Sequence, residues 1–260
     1  MDFLLECIGF PPSTDLSALA QEIRRAGEPV AWRGPAGLHL RYPLAGGLEV
    51  RLDREDGQDH DTLWPHFEVS RRLRVAVESV QPLPDSPFDI LLHGRANPAL
   101  PDDPWREANG GEYPLATYLS DARRLPSSIP RGHVLAVSIS GFALDVSFVG
   151  LNEGVQSPYL AEDPAGSPLL PLEGSDQPGG CMELSLPVRG IRHFENPLTH
   201  ELIEAVEVDS PGRPLELFLS RWHLEAHGMP APRAGWRIEG AFLFTGRVSG
   251  GLPVRSTRER

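Results

Sequence analysis

Alternation of apolar and polar positions is clearest in the last third of this 260-residue chain. Residues 181–194, 200–209 and 215–219 read as strands bounded by turn residues, and 235–247 as a final apolar strand. A short helix over 221–228 is expected before that last strand. The middle of the chain repeats the theme. Strands are predicted at 67–80, 88–93, 113–119 and 133–149, the last with Phe142, Leu144, Val146 and Phe148 alternating after Gly141. The start differs. Residues 2–9 read as a buried strand ended by Pro11-Pro12. A helix follows, capped by Ser13 or Thr14 with Asp15 also available, carrying Leu16, Leu19, Ala20 and Ile23 on one face and stopping at Gly27. Three short strands, 29–33, 38–42 and 48–52, complete a β-α-β-β-β unit with Gly-rich turns between them. The expected fold is mainly β, α+β overall, divided into a small α/β module at 1–62, a first β unit at 63–160, a linker at 161–180 and a second β unit at 181–255.

The two β units share local sequence. Pro114-Leu-Ala-Thr-Tyr-Leu-Ser120 stands 100 residues before Pro214-Leu-Glu-Leu-Phe-Leu-Ser220. Pro130-Arg-Gly132 is echoed by Pro232-Arg-Ala-Gly235, and Phe67-Glu-Val-Ser by Met182-Glu-Leu-Ser. Three matches in one order point to a tandem duplication. Each unit, with three strands, a short helical segment and a further strand, resembles an OB-fold. That resemblance implies a five-stranded sheet whose face takes oligonucleotides or sugars on aromatics and arginines, and it brings no catalytic residues. The second unit has only 249–255 left for a fifth strand, which puts its closure in question.

By element order alone, residues 2–52 resemble one module of the vicinal-oxygen-chelate (glyoxalase-like) fold. The resemblance implies metal ligands on the first and last strands, where Glu6 and Glu49 stand. Such a site needs a paired second module, and the chain offers no second β-α-β-β-β run, so Glu6 and Glu49 are expected as solvent-facing edge residues.

Composition narrows the chemistry. All 24 basic residues are arginine. Without lysine, a P-loop lysine, a Schiff base and a Ser-x-x-Lys nucleophile are excluded. The net charge of −12 falls mostly on residues 1–175, which disfavours nucleic acid as a partner. No apolar run is long enough for a membrane span, and the N-terminus lacks the pattern of a secretory signal. Cys7 and Cys181 form no CxxC pair and are expected to be inert. A cytoplasmic setting follows as the expectation.

Three groups carry candidate chemistry. His223 and His227 lie one helical turn apart and could share a divalent metal with a third ligand from His193, His200 or Glu204. Residues 53–61 hold five acids, but the glycine is misplaced for a calcium loop and no Glu stands at position 12, so a solvated linker is expected. Trp222 and Trp236, with Arg221, Arg237 and Arg247, form a candidate stacking platform, while Phe242 and Phe244 read as core. The leading expectation is a non-catalytic binding or protein-interaction module. Its partner would be a protein or small ligand, contacted through loops 94–111 and 152–180 and the last unit, and self-association is possible at an exposed strand edge. A His223/His227 metal enzyme is the alternative, and single-strand nucleic-acid binding by the last unit the third.

Overall fold

The structure, a computed structural model, describes residues 3–30, 37–57, 59–68, 71–83, 86–98, 112–120, 125–126, 128–150, 169–172 and 179–252. The chain is mainly β, in two sheets. No described helix is long and apolar enough to cross a membrane.

The first correction comes at once. The segment expected as a strand at 2–9 is, over its described residues 3–9, not one: α1 (Phe3–Glu6) is one helical turn that ends as the chain reverses at Gly9, φ 83°. Leu4, Leu5, Cys7 and Ile8 are all buried. That spacing suits one face of a helix as well as a buried strand, and a run this short is ambiguous by pattern alone. Helix α2 (Leu16–Ala26) is capped by Asp15, whose carboxylate accepts from the backbone N–H of Ser17 and Ala18 at 2.9 and 3.1 Å. The side chain of Thr14 instead donates back to the Pro11 carbonyl at 2.6 Å. Strands β1 (Glu28–Pro29), β2 (Gly37–Pro43), β3 (Leu48–Glu55) and β4 (Thr62–Phe67) form an antiparallel meander. The N-terminal sheet therefore runs to Phe67, past the boundary expected at 62, and the β-α-β-β-β order of the glyoxalase-like resemblance is not found. Residues 31–36, which include most of the strand expected at 29–33, lie outside the described residues.

The remaining strands are β5 (Leu73–Leu83), β6 (Ser86–Ala96), β7 (Tyr113–Leu119), β8 (Val134–Val149), β9 (Leu169–Pro171), β10 (Cys181–Glu195), β11 (Leu202–Val208), β12 (Leu215–Leu219) and β13 (Arg237–Gly250), with α3 (Arg221–Ala226) before the last. Their pairing closes on itself twice. One ring runs β5-β6-β7-β13-β8 and back to β5; the other runs β10-β11-β12-β8-β13 and back to β10. Strands β8 and β13 pair with each other from Arg237↔Val149 to Gly250↔Ala136 and belong to both rings. In the first ring β13 closes in parallel on β7, at Thr245↔Tyr118 and Gly246↔Leu119. In the second, β8 closes in parallel on β12, at Leu217↔Gly141 and Phe218↔Phe142. Each ring thus takes its fifth strand from the far half of the other unit's long strand, so the second ring closes without the 249–255 segment.

Local details recur between the rings. Gly132 and Gly235, at φ 80° and 85°, donate to the carbonyls of Val77 and Val188 at 2.7 and 2.8 Å. Val77 and Val188 in turn donate to His133 and Trp236 at 2.9 and 2.7 Å. Both valines border a bulge, where one extra residue bends the strand.

The N-terminal module straddles the rings. From β4, Trp64 lies 6.0 Å from Tyr118 of the first ring and Phe67 lies 5.0 Å from Phe218 of the second. Phe218 stacks on Phe142 at 5.3 Å. Arg51 of β3 donates to Ser120, and Ser220 donates to Glu6 of α1 at 2.8 Å. The serines that end the two matched heptads are therefore held by opposite charges from one module. Because β8 and β13 serve both rings, urea unfolding followed by tryptophan fluorescence and by far-UV circular dichroism should give one coincident transition. A Phe218→Ala variant should lose about 3–5 kcal/mol by the same measurement. Two separated transitions would show that the rings stand independently.

Candidate functional site

Strand β3 alternates strictly. Leu48, Val50 and Leu52 lie on one face; Glu49, Arg51 and Asp53 lie on the other. Cross-strand pairing puts His66 opposite Glu49, Trp64 opposite Arg51, and both Thr62 and His39 opposite Asp53. Helix α2 packs along the apolar face, where Leu16 and Ala20 meet Leu63 across a groove. The polar face is not left to solvent. The first ring covers it, so Glu49 and Arg51 are each only 4% exposed, contrary to the solvent-facing edge expected of Glu49.

Burying these charges requires them to pair. Arg51 donates its Nε and Nη2 to Glu49, each at 2.8 Å, and its Nη1 reaches both the carbonyl (3.3 Å) and the hydroxyl of Ser120. His39 Nδ1 contacts the carboxylate of Asp53, and both side chains are buried. His66 differs from all of them. It is 2% exposed, and neither ring nitrogen has a hydrogen-bond partner. The hydroxyl of Thr245, on β13, is buried and unpartnered as well. Both border a narrow pocket of about 20 Å³, walled by Trp64, Tyr118, Arg51 and Ser120. Burial, with the charges of Arg51 and Arg247 in support, holds His66 well below the usual imidazole value of 6.5. A neutral imidazole carries one donor and one acceptor, and here both are unspent.

The residues singled out from sequence are placed as follows. His223 of α3 and His227, the residue that caps its C-terminus, lie with ring centroids 4.3 Å apart. His227 Nδ1 is 2.9 Å from the His223 carbonyl, and His223 Nε2 lies 4.0 Å from Asp145. His193 is 3.9 Å from Glu204 across β10 and β11, and His200 is 2.8 Å from Glu195 in the turn between them. Among the described residues, no group of three His, Cys, Asp or Glu is placed to hold a metal ion. Glu6 and Glu49 are likewise separately engaged, with Ser220 and Arg51.

The aromatic and arginine set is spread out rather than gathered. Trp236 lies 6.1 Å from Phe148 and 5.3 Å beneath Arg233. Arg221 binds Glu225 at 2.7 Å, Arg237 binds the Ser185 carbonyl at 2.7 Å, and Arg247 lies 3.8 Å from Glu68. Arg237 and Arg247 stand ten residues apart on one strand, about 33 Å. Trp222 is half-buried, and Phe242 and Phe244 are core, as read. Both thiols are free and buried, and burial raises them to about 12 for Cys7 and about 11 for Cys181. In the acidic 53–61 stretch, Asp53 faces His39, while Asp61 binds Arg24 and lies 3.9 Å from Arg54. Of the contact segments expected from sequence, residues 99–111, 152–168 and 173–178 lie outside the described residues.

Comparison with protein-family models, curated proteins and solved structures returns no match to this chain.

The sequence signal for His66 was present but incomplete. Polar residues alternate along 49–53 and pair with His39 and His66, yet alternation shows which side chains share a face and not what covers it. Two outcomes follow. The unfolded chain protonates His66 near pH 6.5 while the native one does not. Its contribution is therefore fully present above that value and lost as pH falls from 6.5 toward the lowered native value, by about 1.4 kcal/mol per pH unit. Urea unfolding at a series of pH values should show this slope in the native chain and a shallower one in His66→Phe. Replacing Arg51 by Met strands the Glu49 carboxylate and should cost about 3–5 kcal/mol, while Glu49→Gln combined with Arg51→Met should cost less than Arg51→Met alone.

Proposed function

We propose that the chain is a non-catalytic binding module, and that the pocket beneath the N-terminal sheet receives a compact, uncharged, hydrogen-bonding ligand. The observation that carries this reading is His66, buried with both ring nitrogens unpartnered beside an unpartnered Thr245 hydroxyl. A buried polar group without a partner costs roughly 1–3 kcal/mol, and an occupant offering one donor and one acceptor removes that cost. The charges around it are already spent, Arg51 on Glu49 and Ser120 and Asp53 on His39, which favours a neutral occupant over an ionic one. Trp64 and Tyr118 flank the opening with flat apolar surfaces suited to a slender group.

The scaffold is read as two OB-like units from a duplication that have exchanged their fifth strands. Support comes from the ring order, from the parallel closing contact in each ring, and from the matched hydrogen bonds at Val77 and Val188. Two free, protonated thiols suit a reducing, cytoplasmic compartment.

The test is nuclear magnetic resonance of protein labelled with ¹⁵N in its histidine rings, titrated with acetamide, urea and 1,2-ethanediol. A saturable shift of the His66 ring signals by at least one probe, reduced in Thr245→Val, is expected. If none moves those signals up to its solubility limit, the pocket is a solvent-filled structural void and the reading falls.

A further inference from the structure

The N-terminal module rests on the two rings by different kinds of contact. On the second ring they are apolar or made to backbone. Phe67 packs on Phe218, Gly46 lies against the Phe194 ring, and Cys7 is buried with its sulfur 3.7 Å from the Ala143 carbonyl. Asn196 and Thr199 donate to the carbonyls of Ile8 and Gly9 at 2.8 and 2.6 Å. Among these contacts only that of Ser220 with Glu6 involves a carboxyl group. On the first ring the module presents ionisable residues instead. Glu49, Arg51, Asp53, His39 and His66 are all buried, and strand alternation gives them the pattern of a solvent face. Such groups regain hydration when returned to water, so parting on this side costs less than baring an apolar face. Trp64 against Tyr118 is the aromatic contact there.

His66 is the group that can force that parting. It stands opposite Glu49 across the strand pair, and Arg51 already takes that carboxylate through two nitrogens. Asp53, in the same pocket, is held by His39. Arg247 of β13 stands on the far side with Glu68 3.8 Å from it, and β7 contributes the phenol of Tyr118, with the Ser120 hydroxyl just beyond its end. A proton on His66 therefore adds a buried cation near two guanidinium groups, Arg51 and Arg247. Each carboxylate named here is already committed to another partner.

We propose that the N-terminal sheet is an acid-opened lid, which lifts off the first ring when His66 takes up a proton and stays hinged on the second ring at Phe67 and α1. The pocket holds only about 20 Å³ while the lid is closed, so opening is also the way in for an occupant, and in that respect the lid rests on the binding reading above. The sign follows from where the proton is held. Open, His66 meets water and takes a proton near pH 6.5; closed, it is held well below that value. Acid therefore favours the open form. Below about pH 6.5 the open-to-closed ratio rises about tenfold per pH unit, until the closed form protonates as well.

The experiment is thiol labelling of the full chain with dithiodipyridine, from about pH 7.5 down to about pH 5, without ligand. Thr245→Cys puts a reporter thiol beneath the lid, while native Cys7 reports the hinge side and Cys181 the body of the rings. Each rate is divided by that of the same thiol in the urea-unfolded chain at the same pH. The reporter is expected to label about tenfold faster per pH unit of acidification while Cys7 and Cys181 stay protected, and Thr245→Cys/His66→Gln to show no such slope. Far-ultraviolet circular dichroism checks folding at each pH, and Ser120→Cys serves as the reporter if Thr245→Cys does not fold. Labelling of the reporter in step with Cys7, a rate flat with pH, or a slope that survives His66→Gln would each overturn the lid. Because no ligand is added, a lid that opens while no probe binds defeats only the binding reading, and one that stays shut defeats only the lid.

Discussion

The antiparallel pairing of Val134–Val149 with Arg237–Gly250 is the contact on which the body of the molecule depends. These strands are longer than one small barrel needs, and the excess is put to use. The near half of each serves its own unit, while the far half closes the other through a parallel contact. Five-stranded closure removes exposed sheet edges, which are otherwise open to pairing with other chains. Here that protection is mutual, because neither ring has a private fifth strand. Phe142, Phe242 and Phe244 sit on this pair with no exposed surface, so the strands joining the rings also hold the centre of the core.

The N-terminal module follows from the same geometry. Two rings joined by a shared pair present related surfaces side by side, and one edge strand can touch both. Strand β4 does so with Trp64 on one and Phe67 on the other. The cost is electrostatic. Covering the polar face of the small sheet takes Glu49, Arg51, His39 and Asp53 out of water, and each is kept only because another group answers it. His66 is the exception. With the Thr245 hydroxyl beside it, it is left unanswered inside this interface, and the binding proposal rests on that departure.

How much of this could be read beforehand depends on the range of the interaction. Helix α2 was legible because its apolar stripe and its cap lie within a dozen residues. Most strands of both units were legible from alternation, although Phe67 ends β4 rather than opening the strand expected at 67–80, and Ser120 and Ser220, which end the matched Pro-Leu-x-x-x-Leu-Ser heptads, are both held by the N-terminal module. Three readings failed for one shared reason: they needed partners distant in sequence. Residues 3–6 form a helical turn that meets β4 and β8, which the segment alone does not announce. Glu49 was expected in water because nothing near it names the ring that covers it. The fifth strand of the second unit was sought after residue 248, whereas it stands about a hundred residues earlier, in β8. The four histidines were grouped by proximity along the chain, and the fold assigns His193 and His200 to separate carboxylates.

The shared closing strands also order events in time. A chain made from its N-terminus offers β5 to β8 long before Thr245 and Gly246 exist to meet Tyr118 and Leu119. During translation the first ring must therefore wait, open-edged, until Thr245 and Gly246 have left the ribosome. The acidic excess of residues 1–175 keeps neighbouring nascent chains apart over that interval.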